Sequence, residues 1–232
     1  MPAFSERRLF VIIAIDGPSG AGKGTVARTV ARALQFRHID TGAMYRAVAW
    51  LAHERGIAYD DEPALVALAR EVAFDLEDGR VRIAGHDVSS AIRTSGMDLA
   101  SSTVAKLPEL RAVLVARQQQ MGEGGRVVME GRDIGSVVFP DADVKIFLDA
   151  SPEERAKRRA ADPAHTGSAI DLVAVAREIR ARDARDSTRA ASPLRTAPDA
   201  VVIDTTGRSI DDVVQQVLGL AAQVSRAAIS PE

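Results

Sequence analysis

An apolar run that leads directly into a glycine-rich loop and an amphipathic helix is the feature that most constrains the fold of this chain. The segment, LFVIIAIDGPSGAGKGTVARTVARAL, begins at Leu9. The branched apolar residues 9–15 predict a strand covered on both faces of a parallel sheet. After the loop, apolar residues recur at helical spacing, at Val26, Val30, Ala33 and Leu34. The loop is therefore expected to join a buried strand to an amphipathic helix.

The loop itself has the spacing G-x-x-x-x-G-K of a phosphate-binding loop. Its glycines let backbone N–H groups turn toward a phosphate, and the helix adds the positive end of its dipole. Lys23 supplies a point charge for the β- and γ-phosphates. The alternative is an ordinary glycine-rich turn, but the full spacing, the lysine and both flanking elements favour phosphate binding. The predicted nucleotide-binding residues are Gly17, Pro18, Ser19, Gly20, Ala21, Gly22, Lys23, Gly24 and Thr25.

Gly24 departs from the motif, which has Ser or Thr after the lysine. In the usual loop that hydroxyl helps to hold Mg²⁺, and glycine has no group that can do so. A hydroxyl follows one residue later, at Thr25. We expect Thr25 to contact the metal ion directly or through water.

Four later segments have the pattern of strands in the same sheet, and helical patterns separate them. They are residues 36–39, 126–129, 144–148 and 200–203. This alternation predicts an α/β fold with a doubly wound, five-stranded parallel sheet and ligands at the carboxyl ends of the strands. Helices are expected from Pro108 to Met121, from the capping sequence Ser151-Pro-Glu-Glu, and from Ile170 to about Thr188.

One region, residues 60–93, interrupts the alternation. Apolar residues alternate with polar ones on either side of Asp78-Gly79, which predicts an antiparallel hairpin inserted into the core. The core then consists of residues 1–59 and 94–232. A short, polar, glycine-containing stretch at 162–168 follows a basic helix, and we expect a lid over residues 157–170.

Composition excludes several classes of function. The net charge of the 232 residues is −2, which gives no long-range attraction to a nucleic acid polymer or an anionic membrane. Without cysteine there is no disulfide, thiolate metal site or cysteine nucleophile, and the chain is compatible with a reducing cytoplasm. The longest apolar run is too short to span a bilayer. A cytoplasmic monomer that acts on small molecules is expected.

Four further stretches point to one family. They are DTGAMYR at 40–46, IRT at 92–94, EGRDIG at 130–135 with VVFP at 137–140, and RDARDSTR at 182–189. Together with GPSGAGKGT, their order and spacing resemble the bacterial cytidylate kinases over essentially the whole chain. The resemblance implies a P-loop kinase with a nucleoside-monophosphate-binding insertion at 60–93. It also implies ATP as phosphoryl donor, Mg²⁺ as metal, and CMP or dCMP as acceptor.

The stretch 40–46 places Tyr45 and Arg46 about one turn into a helix that follows a strand. A tyrosine face can stack on a base and an arginine can bind a phosphate with two N–H groups, although a buried tyrosine and a surface arginine are the simpler interpretation. The resemblance implies that Arg46 binds the acceptor phosphate and that Thr41 and Tyr45 line the acceptor site.

Arg132 and Asp133 follow a predicted central strand, where this fold class binds its ligands. A structural ion pair between the two is the alternative. The resemblance implies that Arg132 holds the acceptor phosphate and that Asp133 accepts a hydrogen bond from the cytosine amino group. It also implies that Ser102 and Arg111 complete the base pocket.

Arg182, Asp186 and Arg189 share one face of a predicted helix, where an ordinary i, i+4 salt bridge is the simpler interpretation. The resemblance implies that Asp186 orients Arg182 toward the sugar and that Arg189 reaches the transferring phosphoryl group. Of the basic residues before the lid, Arg158 is expected near the base or phosphates of ATP. The implied catalytic set is Lys23, Arg132, Arg182 and Arg189.

Two other functions stay open from the residues alone. One is a kinase for a different nucleoside monophosphate. The other is a nucleotide-dependent switch, which is less favoured because the arginines exceed what one bound nucleotide needs and no guanine-specific N-K-x-D sequence is present.

Overall fold

The computed structural model describes residues 11–76, 79–161, 172–189 and 191–227. Its centre is a five-stranded parallel sheet in the order β2-β6-β1-β7-β8, with strands numbered along the chain. The five strands are β1 (Ile12–Asp16), β2 (Arg37–Asp40), β6 (Val127–Gly131), β7 (Val144–Asp149) and β8 (Val201–Asp204). All five residues of the central β1 are buried, as the continuous apolar run predicts. The predicted fold class is confirmed.

Helices cover both faces of this sheet. The helices among the described residues are α1 (Lys23–Leu34), α2 (Thr41–Glu54), α3 (Glu62–Glu71), α4 (Ser95–Val104), α5 (Pro108–Gly122), α6 (Pro152–Ala160), α7 (Leu172–Thr188) and α8 (Ile210–Ala227). Apolar residues of α1 and α8 pack on one face of β1, around Ile13 and Ile15. On the other face, Ile12 and Ala14 belong to a cluster that includes Ile134. The two-sided burial of β1 thus follows from helices on both sides.

Helix boundaries follow the local signals closely. Ser151 accepts a hydrogen bond from the backbone N–H of Glu154 at 3.2 Å, so the predicted N-terminal cap of α6 forms. Helix α5 begins at Pro108, as expected. The predicted start of the next helix at Ile170, and most of the predicted lid, lie outside the described residues. Within the part of the chain that is described, no helix is long and apolar enough to cross a membrane.

The inserted region contains helix α3 and a small antiparallel sheet. Strand β3 (Phe74–Asp75) pairs with β4 (Arg82–Ile83), which confirms the predicted hairpin, while Asp78 of its turn lies outside the described residues. A third strand, β5 (His86–Asp87), pairs with β4 and was not predicted. In the turn before β5, Ala84 has a φ of 49°, which is in the left-handed region. Alanine rarely adopts this conformation, so the sequence did not predict a turn there.

The register of the large sheet brings three loops together at its carboxyl edge. Asp16 of β1 lies opposite Gly131 of β6, and Glu130 lies opposite Asp40 of β2. The phosphate-binding loop, the loop after β6 and the start of α2 are therefore neighbours. After β6, Ile134–Val138 form a π-helical turn that the sequence pattern did not predict.

Candidate active site

The three loops line one cleft of about 700 Å³ at the carboxyl edge of the sheet. At one end lies the phosphate-binding loop, which the backbone shapes. Gly22, directly before α1, has a φ of 91°, a conformation that L-residues rarely adopt. The loop is braced from outside by Arg155 of α6, whose guanidinium donates to the carbonyl of Ser19 at 3.1 Å. Backbone N–H groups and the amino end of α1 thus face the cleft where an anion can bind.

Lys23 is the charged side chain of this loop, and it is buried. Its Nζ donates to the carbonyl of Pro18 at 2.8 Å. Burial, and secondarily the nearby guanidinium of Arg132, lower the pKa of Lys23 to about 7. The negative charge around Lys23 is too small to keep its amino group fully protonated at neutral pH. A bound polyphosphate would supply the missing negative charge.

Gly24 is explained by a close approach from the neighbouring strand. A Cβ atom at this position would lie 3.1 Å from Oε1 of Glu130, the penultimate residue of β6. The side chain of Glu130 is buried, and its Oε1 lies 3.1 Å from Nε2 of His38. The space that a Ser or Thr side chain at position 24 would occupy is therefore filled by the Glu130 carboxylate of β6. Thr25 is exposed and lines the same cleft.

Glu130 was not among the predicted site residues. The sequence feature that indicates Glu130 is its position at the end of an apolar strand, directly before Gly131-Arg132-Asp133. No group of three or more His, Cys, Asp or Glu side chains in the described ranges is arranged to hold a metal ion. Mg²⁺ in such sites usually takes one or two carboxylates and completes its shell with phosphate oxygens and water, so Glu130 fits this ion.

The residues from stretch 40–46 line the middle of the cleft. Asp40 caps α2 by accepting from the backbone N–H of Ala43 at 3.0 Å, and it also accepts from Arg46 at 2.8 Å. Thr41 is buried and donates its hydroxyl proton to the carbonyl of Glu130 at 2.7 Å. Arg46 thus faces the cleft from the first turns of α2, as the sequence predicts.

Tyr45 forms part of the cleft wall, and its charged neighbours are Arg111 and Asp133. The guanidinium carbon of Arg111 lies 5.4 Å from the centroid of the Tyr45 ring. Burial raises the pKa of the Tyr45 phenol to about 12, so the hydroxyl stays protonated. A hydrogen bond with the side chain of Gln118 in α5 acts against this shift but does not cancel it.

Asp133 forms a buried ion pair with Arg111 of α5 and lies 3.9 Å from a guanidinium nitrogen of Arg189. Ser102 of α4 is buried and lines the same cleft. The structural alternative of an Asp133–Arg132 pair is therefore not what forms. The structure brings all three residues of the predicted base pocket to one cleft.

Arg132 pairs instead with Asp186 of α7, with Nε 2.9 Å from Oδ2. Burial of the Asp186 carboxyl opposes ionisation, but Arg132, Arg182 and Arg189 together outweigh it and hold the pKa of Asp186 below its usual range. The sequence predicted that Asp186 orients Arg182. In the structure Arg182 forms an ion pair with Asp98 of the neighbouring helix α4, at 3.2 Å, and the charge of Asp186 also acts on Arg182.

Asp98 was not predicted as a site residue, and it is the partner of several arginines. Besides Arg182, it pairs with Arg159 of α6 and lies 4.0 Å from Arg46. Burial, and then the charge of Arg132, lower the pKa of Arg182 to about 10. The guanidinium groups of Arg46, Arg132 and Arg182 therefore repel one another, and a bound anion would stabilise their charged forms.

Arg158 lies beside the phosphate-binding loop, as expected. It donates to the hydroxyl and the carbonyl of Thr205 at 2.8 and 2.7 Å, and a Cβ atom on Gly22 would lie 3.7 Å from its Nη1. In the same basic helix Lys157 is exposed, while Arg155, Arg158 and Arg159 face inward. Arg158 and Arg159 thus line the cleft, whereas Arg155 supports the phosphate-binding loop and Lys157 faces solvent.

A parallel sheet with a phosphate-binding loop after its central strand, and arginines from several helices around it, defines a P-loop kinase. The family model for cytidylate kinase matches residues 13–223. The chain is 51% identical over 217 residues to a cytidylate kinase of Syntrophotalea carbinolica, covering 92% of each chain. It is 51% identical over 211 residues to a cytidylate kinase of Bacillus licheniformis, covering 89% of this chain and 93% of that one. The chain belongs to the cytidylate kinase family.

A solved structure shares the architecture at much lower sequence similarity. It is a gluconokinase of Sinorhizobium meliloti, with a TM-score of 0.50 and 14% identity, covering 96% of this chain and 98% of that one. This likeness concerns the fold alone. Membership of the family makes the chain an ATP-dependent phosphotransferase.

Proposed function

We propose that the chain transfers the γ-phosphoryl group of ATP to CMP or dCMP and gives ADP and CDP or dCDP. The observation that carries the proposal is the layout of the single cleft. The lining includes the phosphate-binding loop and the Asp133–Arg111 pair. Arg132 and Arg182 act on the charge of Lys23, and Arg189 lies 3.9 Å from Asp133, so arginines connect the two sites. Two phosphate-bearing ligands bound end to end would meet among these arginines.

In the proposed reaction, an oxygen of the acceptor phosphate forms a bond to the γ-phosphorus as the bond from that phosphorus to the β–γ bridging oxygen breaks. The acceptor oxygen is already anionic, so no strong general base is needed. Negative charge on the transferring group is the main cost, and nearby cations reduce it. The side chains we assign to this role are Lys23, Arg46, Arg132, Arg182 and Arg189, all of which line the cleft.

We assign the Mg²⁺ position to the carboxylate of Glu130, with the hydroxyl of Thr25 in contact directly or through water. When bound, the ion would neutralise charge on the β- and γ-phosphates. Glu130 lies beside Gly24 at the start of α1, next to the place where the nucleotide phosphates bind.

Base selection is assigned to Asp133. A carboxylate accepts a hydrogen bond from the exocyclic amino group of cytosine, whereas uracil presents a carbonyl at that position. Two acceptors facing each other in a buried site leave both unpaired, which costs substrate binding. Arg111 fixes the carboxylate, and Ser102 and Tyr45 line the space around it.

The insertion at 60–93 and the lid at 157–170 are assigned to closure over the substrates. Closure would exclude water that otherwise hydrolyses ATP. The cytoplasmic location and the monomeric state predicted from the sequence stay predictions.

The test is ADP production in a coupled assay with ATP and, separately, CMP, dCMP, UMP or AMP. Rapid turnover with CMP or dCMP, and much slower turnover with UMP and AMP, is expected. A preference for UMP or AMP would point to the other nucleoside monophosphate kinases. ADP production that ignores every acceptor would favour the switch.

Lys23→Met should abolish turnover, because it removes a cation at the phosphates and leaves the apolar packing of the stem. Lys106→Met is the matched control, since Lys106 is exposed and does not line the cleft. Circular dichroism should show both variants folded. Equal rates for the two variants would contradict the role of Lys23.

A further inference from the structure

Asp16, the last residue of β1, is a buried carboxylate that serves a distant part of the chain. Its two oxygens accept hydrogen bonds from the backbone N–H groups of Ile134 and Gly135, each at 2.8 Å. These residues are the first two of the π-helical turn that follows β6. One carboxylate therefore satisfies two consecutive amides 118 and 119 residues away along the chain.

The first N–H groups of any helical turn lack partners within the turn and need an outside acceptor. The residue directly before the turn usually supplies it, and aspartate is among the residues best suited to do so. Here that residue is Asp133, and its side chain makes no capping hydrogen bond. Its carboxylate pairs with Arg111 in the cleft instead.

The two observations fit together. Because Asp16 already accepts from Ile134 and Gly135, the Gly135 amide is not available to the Asp133 side chain, which pairs with Arg111 in the cleft instead. We propose that Asp16 is a positioning residue for base recognition, capping the turn in place of Asp133 so that the Asp133 carboxylate is presented to the acceptor base. This inference rests on the proposed function, since it concerns the residue assigned to base selection.

The chemistry of Asp16 is specific to a carboxylate. Burial raises its pKa to about 6, against the opposing effect of the two backbone hydrogen bonds. Among charged side chains, Asp133 acts in the same direction as burial and Lys23 acts against it. An asparagine at this position offers one acceptor oxygen and turns an NH₂ group toward the second amide, where donor faces donor. The turn would then have an unpartnered N–H, and Asp133 would be the nearest carboxylate to accept from it.

Asp143 provides a matched control for Asp16, because it bonds the other end of β1. Asp143 accepts a hydrogen bond from the backbone N–H of Ile12, the first residue of β1, also at 2.8 Å. It does not line the cleft. Asp143→Asn therefore changes the same type of bond on the same strand, remote from the base pocket.

The experiment measures kcat/KM for CMP and for UMP, and ATP affinity by calorimetric titration, in four variants. They are Asp16→Asn, Asp133→Asn, the double variant and Asp143→Asn. The ATP titration also counts the molecules whose phosphate-binding loop is folded, so a loss of folded protein is not mistaken for a loss of selectivity. We expect Asp16→Asn to lower kcat/KM for CMP on the order of 30-fold per folded molecule and to lower that for UMP much less.

The double variant decides whether Asp16 acts through Asp133. If it does, adding Asp16→Asn to Asp133→Asn costs CMP turnover about twofold or less, because the group that Asp16 positions is already lost. Independent, multiplying losses would overturn the inference. So would an equal loss for CMP and UMP in Asp16→Asn, or the same loss in Asp143→Asn. A wild-type protein with no preference for CMP over UMP would overturn the proposed function and this inference together, whereas the other outcomes leave the proposed function intact.

Discussion

Binding of ATP above pH 7 should draw a proton from solution, because Lys23 of the free protein loses its proton at an unusually low pH. Its pKa is lowered to about 7, first by burial and then by Arg132. Oxyanions of a bound polyphosphate favour the charged form and return the pKa toward its ordinary value. At pH 8 a group with a pKa of 7 is about nine-tenths neutral, so ATP binding should take up about 0.9 proton.

The same linkage fixes the pH dependence of affinity. Because the pKa of Lys23 is lowered, the side chain must take up a proton when ATP binds. The free-energy cost of this protonation grows as the pH rises above 7. From pH 7 to pH 9 this cost should weaken ATP binding about 50-fold, or about 2.3 kcal/mol. Arg182, whose pKa is lowered to about 10, stays charged at pH 8 and should add no measurable uptake there.

Isothermal titration calorimetry with Mg·ATP at pH 8, in two buffers of different ionisation enthalpy, measures this uptake. The slope of observed enthalpy against buffer enthalpy gives the number of protons. Lys106→Met should keep the uptake of the unaltered protein, since Lys106 is an exposed lysine outside the cleft. An uptake below about 0.2 proton at pH 8 would mean that Lys23 keeps its charge without ligand, and the argument from burial would be wrong.

Two substitutions test other parts of the site. Asp133→Ala should lower kcat/KM for CMP about 100-fold and that for UMP much less, because only cytosine loses a hydrogen bond; equal losses in the acceptor assay would mean that Asp133 has a structural role. Gly24→Ala places a methyl group 3.1 Å from the Glu130 carboxylate and should lower kcat about tenfold with the fold intact by circular dichroism. Because Glu130 is also assigned to Mg²⁺, the comparison is between backgrounds: Gly24→Ala should lower kcat less in a Glu130→Asp chain than in the unaltered chain, and an equal loss would contradict the steric explanation.

Local patterns were enough to place the main elements of the core. The strand before the phosphate-binding loop, the proline that opens α5 and the serine that caps α6 each depend on residues within a few positions. The third strand of the small sheet was missed because its turn begins with Ala84 in a left-handed conformation. The π-helical turn was missed because an outside carboxylate, Asp16, satisfies its first amides.

The sequence by itself determined a buried strand, a phosphate-binding loop and a set of arginines in motifs typical of one family. These features depend on spacing along the chain, which fixes periodicity and backbone conformation. The partners of the charged groups were decided only by the tertiary structure. Arg132 pairs with Asp186, Asp133 with Arg111, and Glu130 fills the space beside Gly24. The attraction between two charges depends on their distance in space and not on their separation along the chain. The strand order β2-β6-β1 and the packing of α4 against α7 therefore determine which carboxylate lies near each arginine.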